Sequence, residues 1–80
     1  MSFVHYRIEI SEKALKQLRA LPKEMRRNIG QRLETMRGDV LKLRDKGNRY
    51  RLRVGTFRVL FVLAGDVIQV YAVKEQEGYE

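Results

Sequence analysis

Cysteine is absent from the 80 residues, and histidine and proline occur once each, as His5 and Pro22. Without thiols neither a disulfide framework nor a thiolate metal site can form, and one histidine excludes the usual multi-histidine sites. No metal and no cofactor is therefore expected. No run of 18 apolar residues is present, and the opening Met1-Ser2-Phe3-Val4-His5-Tyr6-Arg7 lacks the long apolar segment of a signal peptide. These absences lead to the expectation of a cytoplasmic protein with no membrane partner.

Acidic residues are also scarce: ten stand against seventeen lysines and arginines, for a net charge of +7. Three of those ten lie in the last seven residues, so the body of the chain is more basic than the total implies. Such a field attracts polyanions and says nothing about fold. Nucleic acid, the ribosome and an acidic protein are the candidate partners. At this length roughly 60–65% of the unfolded surface can be buried, which fits one domain over residues 1–80 with one core.

The most informative stretch is Arg49-Tyr50-Arg51-Leu52-Arg53-Val54-Gly55-Thr56-Phe57-Arg58-Val59-Leu60-Phe61-Val62. Basic and apolar residues alternate with period two before Gly55-Thr56, and β-branched and aromatic residues follow it, which predicts a β-hairpin. A two-residue loop of type II′ suits glycine at its first central position. Val54 then pairs with Phe57, Arg53 with Arg58, Leu52 with Val59, Arg51 with Leu60 and Tyr50 with Phe61. Tyr50, Leu52, Val54, Phe57, Val59 and Phe61 share the buried face, and Arg49, Arg51, Arg53 and Arg58 share the other. Like charges directly opposite destabilise a strand pair by up to about 1 kcal/mol, so an anion belongs on that second face.

Before the hairpin, residues 3–10 alternate as a half-buried strand in which a lone His5 on the polar side reads as solvated. Ser11 is a candidate N-cap with Glu12 in the first turn, and Ala14, Leu15, Leu18 and Leu21 give one apolar face to a helix over about residues 11–20. Pro22 suits the start of a second helix, whose face is Met25, Ile29, Leu33 and Met36 and whose end is expected at Gly38. Residues 39–48 read as an extended connection whose Lys42, Arg44 and Lys46 extend the basic face. After Ala64-Gly65-Asp66 a last strand places Ile68, Val70 and Ala72 in the core and Gln69, Tyr71 and Val73 beside the arginines. Continued, it brings Glu75, Glu77 and Tyr79 to the same face.

The order of strand, helical hairpin, basic connection and three antiparallel strands, with the Tyr-Arg-x-Arg-x-Gly-x-aromatic-Arg-Val core at 50–59, Leu21-Pro22 and Lys42-Leu43, resembles the RelE/ParE superfamily of type II toxins. Nearly the whole chain takes part, and short connections favour the RelE branch. The resemblance implies an α+β RelE-like fold: an N-terminal strand and a two-helix hairpin packed on a mostly antiparallel four-stranded sheet. It implies a metal-independent mRNA endoribonuclease that cuts the message in the ribosome, bound and neutralised by a cognate antitoxin in a hetero-oligomer. Arg51 and Arg53 match the family's basic pair that holds the message, Arg58 the arginine at the scissile phosphate, and Tyr79 the terminal tyrosine that orients a base. Lys42, Arg44, Lys46 and Arg49 are the further RNA-binding candidates.

The tail departs from the family, which commonly has an arginine or a His-Arg pair where this chain has Lys74-Glu75-Gln76-Glu77. Cleavage by a 2′-hydroxyl needs a base, cations for the charge developing on phosphorus, and an acid for the departing 5′-oxygen. The guanidiniums meet the second need and hold their protons too tightly for the others. Glu75 or Glu77 is the candidate base, and Lys74 or Tyr79 the candidate acid. Activity is expected to be full or attenuated; the alternatives are a ParE-like gyrase inhibitor and a catalytically silent module that binds an antitoxin or nucleic acid.

Overall fold

A computed structural model describes residues 6–44 and 47–75. The elements run β1 (Arg7–Ile10), α1 (Glu12–Arg19), α2 (Lys23–Thr35), β2 (Asp39–Lys42), β3 (Arg49–Val54), β4 (Phe57–Ala64) and β5 (Val67–Glu75). The α+β expectation holds, with five strands in place of four. The sheet order is β1-β5-β4-β3-β2, antiparallel except where β1 runs parallel to β5. The additional strand is β2, formed from the first part of the expected connection. Among the described residues no helix is long and apolar enough to cross a membrane.

The helices begin and end for local reasons. Ser11 Oγ accepts from the Ala14 N–H at 3.1 Å and so caps α1. Pro22 occupies the N-cap position of α2 and offers no side-chain hydrogen bond there. The end of α2 lies two residues before the expected Gly38. Met36 takes the left-handed conformation (φ 53°, ψ 45°), and the Arg37 N–H returns to the Arg32 carbonyl at 2.9 Å. That closure satisfies carbonyls which would otherwise be left at the helix end, and Met36 packs its side chain on the core.

The core lies between the helices and one sheet face. Ala14 and Leu18 of α1 and Ile29 and Leu33 of α2 meet Leu52, Val54, Val59, Phe61, Ile68, Val70 and Val73. Tyr50 stacks on Phe61 across β3 and β4, with ring centroids 5.6 Å apart and planes at 10°. Such a pair contributes about 0.5–1.5 kcal/mol beyond the area it buries. The expected hairpin register is found at all five pairs. Gly55 has φ +60° and Thr56 lacks a positive φ, as a type II′ turn requires.

The second hairpin turns at Gly65-Asp66, since Ala64 pairs with Val67. The side-chain alternation expected of the last strand does not persist, because β5 carries a bulge. Leu60 pairs with Ala72 and Phe61 with Val70, which leaves Tyr71 as the extra residue. Beyond it the faces exchange: Val73, opposite Val59, enters the core, while Ala72 and Lys74 come to the arginine face. Glu75 lies opposite Phe57 on the helix side, so its expected place among the arginines is corrected. The Val73 N–H, on the edge that β1 no longer covers, donates to Gln17 Oε1 of α1 at 2.7 Å.

Candidate nucleic-acid interface

The helix-free side of the sheet is organised in cross-strand rows. Asp39, Arg53, Arg58 and Lys74 form one row across β2, β3, β4 and β5, and Leu41, Arg51, Leu60 and Ala72 form the next. A third contains Arg49, Val62, Gln69 and Glu9. Three guanidiniums and an ammonium are thereby gathered near the turn end of the β3–β4 hairpin. The two-residue turn fixes this, because a slip of one residue would send every arginine into the core.

Among the described residues Asp39 is a carboxylate that meets Arg51 and Arg53 of this cluster, and sequence reasoning missed it. Its Oδ1 accepts from Arg51 Nη2 at 3.4 Å, and its Oδ2 lies 3.7 Å from Arg53 Nε. The only available signal was its position at the start of a strand that pairs with β3, and that strand was itself unrecognised. The Arg51 side chain is 17% exposed and the Arg53 side chain 41%. Packing therefore holds Arg51 more firmly, while more of Arg53 remains open to solvent. A planar guanidinium suits the two oxygens of a phosphate, and several on a rigid sheet lose little orientational freedom on binding.

The remaining candidates fall in different places. Arg49 lies on the arginine face, with its guanidinium carbon 5.6 Å from the Tyr71 ring centroid. Lys42 pairs with Tyr50 and so belongs to the helix side at the sheet edge, not to the basic face on which it was expected. Arg44 is exposed in the turn after β2. Lys46, Glu77 and Tyr79, like His5, lie outside the described residues. The structure thus brings together Arg49, Arg51, Arg53 and Arg58 with Lys74 and Asp39, and separates Lys42 and Glu75 from them.

A helical hairpin on one sheet face and a row of guanidiniums on the other define a small basic α+β protein suited to an anionic ligand. Comparison with known proteins makes the class specific. The chain is 28% identical to RelE1 of Methanocaldococcus jannaschii over 91% of its own length and 92% of that protein's. A chain of the RelE–RelB complex from Pyrococcus horikoshii is 29% identical with a TM-score of 0.75, the match covering 94% of this chain and 99% of that one. The isolated RelE toxin of E. coli is 25% identical with a TM-score of 0.76, over 94% of this chain and 88% of that one. No family model matches. In sequence and in fold the chain is thus similar to RelE toxins over nearly its whole length.

Proposed function

We propose that this chain is the toxin component of a type II toxin–antitoxin system and acts as a metal-independent endoribonuclease on ribosome-bound mRNA. The observation that carries the reading is the cluster of Arg51, Arg53, Arg58 and Lys74 on one rigid sheet face of a RelE-family fold. The three guanidiniums hold the message at the scissile phosphate and stabilise the charge that develops there. Asp39, not Glu75, takes the proton from the 2′-hydroxyl, because among the described carboxylates it is the one in contact with Arg51 and Arg53. Oxygen 2′ bonds to phosphorus, the bond to the 5′-oxygen breaks, and the Lys74 ammonium protonates the leaving oxygen. The products are a 2′,3′-cyclic phosphate and a 5′-hydroxyl.

An antitoxin is the matching partner, as in the RelE–RelB complex of the relative. On the helix side an apolar groove of about 390 Å³ opens between β1, α1 and α2, with Ile10 and Leu15 among its walls and Arg19 and Arg26 in its lining. It suits an amphipathic segment with acidic flanks that folds on binding.

The test is induction of the chain in bacteria, with mRNA 5′ ends mapped beside the Arg58→Ala form. Cuts inside translated codons and growth arrest, both lost in the variant, are expected. Equal cutting by the variant would remove Arg58 from the site; no cutting and no arrest would leave a catalytically silent binding module.

A further inference from the structure

A second feature of the open face lies beside the phosphate cluster. The bulge leaves Tyr71 as the unpaired residue of β5, and bulges are used to re-aim side chains next to functional sites. Its half-buried ring carries the Arg49 guanidinium at 5.6 Å, and Arg49 itself is exposed. Next to the ring is a shallow cavity of about 340 Å³, whose lining includes Ile10, Val62, Gln69 and Glu9. Gln69 Nε2 donates to Glu9 Oε1 at 3.3 Å, so amide and carboxylate groups border the cavity. Arg7 Nη2 lies 4.0 Å from the other Glu9 oxygen.

This arrangement sorts the parts of a nucleotide. The phosphate-binding residues Arg51, Arg53 and Arg58 sit at one end of the face, and Glu9 at the other disfavours a phosphate beside it. Ala72, next to Tyr71, is two strands from Arg51, a span of roughly 10 Å at the usual strand spacing. A strand whose phosphate lies on the arginines therefore brings a neighbouring base within reach of Tyr71. Bases stack on aromatic rings and on guanidinium planes alike, irrespective of sequence.

We propose that Tyr71 and Arg49 form a nucleobase platform, on which a base of single-stranded RNA extends the ring–guanidinium stack while the adjoining phosphate lies on Arg51, Arg53 and Arg58. The inference rests on the RNA-binding reading above and adds to it a site for the base. Edge contacts to Gln69 and Glu9 would then set any preference among bases.

The experiment measures binding of the full chain to a fluorescein-labelled single-stranded RNA of roughly ten nucleotides, and to an abasic phosphoribose strand of the same length and charge. The platform predicts that loss of the bases weakens binding by about fivefold or more. Tyr71→Leu should weaken binding to the intact RNA comparably but leave the abasic strand unaffected, and Tyr71→Phe should retain the preference for bases. Equal binding of both strands by the unaltered protein would overturn the platform while leaving phosphate recognition intact. Equal weakening of both strands by Tyr71→Leu would assign Tyr71 a structural role only and likewise overturn it. Failure to bind either strand would overturn the RNA reading itself, and the platform with it.

Discussion

Replacing Asp39 by Asn removes a charge while nearly keeping the shape, and the structure gives its effects on stability, affinity and turnover different signs. The Asp39 side chain is 53% exposed, with its oxygens 3.4 and 3.7 Å from two guanidiniums. Ion pairs this open to water contribute about 1 kcal/mol or less, so unfolding should move only slightly. Binding responds in the opposite direction. A carboxylate roughly 5 Å from a bound phosphate repels it by about 0.8 kcal/mol at the dielectric of water, and by about 3 kcal/mol at an effective value near 20. Asp39→Asn should therefore bind single-stranded RNA at least about threefold more tightly at low ionic strength, with the gain shrinking as salt screens the charge. Under the proposed mechanism turnover should fall, by about 10²–10⁴, because Asp39 is the proposed proton acceptor. Fluorescence anisotropy at two salt concentrations, with single-turnover cleavage on programmed ribosomes, separates these effects. Weaker binding by Asp39→Asn would refute Arg51 and Arg53 as the phosphate site. Tighter binding with faster cleavage would show that Asp39 is a counterion and not the base.

Two further substitutions test the register and the core. Lys74→Ala should slow cleavage by about 10²–10⁴ while Glu75→Gln changes it little, because the bulge places Lys74 opposite Arg58 and Glu75 opposite Phe57; the reverse order would refute the exchanged faces. Phe61 is fully buried beneath the helices, so Phe61→Ala should cost about 3–5 kcal/mol in denaturant unfolding. A loss under about 1 kcal/mol would contradict the packing described.

The β3–β4 hairpin was legible because three signals agree: strict alternation, a glycine where the turn needs positive φ, and apolar residues at matching positions on both strands. The bulge was not. Ala72 and Val73 are both apolar, so either could enter the core, and only the closing of β5 on β4 and α1 selects Val73. The same ambiguity concealed β2, four residues whose Val40 and Leu41 point to opposite faces at the sheet edge. Losing β2 hid Asp39, whose role as partner of Arg51 and Arg53 exists only through strand pairing. The arginines could be read because alternation alone assigns them a face; the carboxylate could not, because its neighbours lie 12 and 14 positions along the chain.

The central claim is that the arginine face cuts RNA, and its most direct test is chemical. Purified chain, alone and as Arg51→Ala and Arg58→Ala, would be added to ribosomes halted on a defined message, and the ends of the fragments identified. Cuts in the ribosome-bound codon that leave a 2′,3′-cyclic phosphate and a 5′-hydroxyl, lost in both variants, are predicted. An intact message with the unaltered chain, or equal cutting by the variants, would contradict the account.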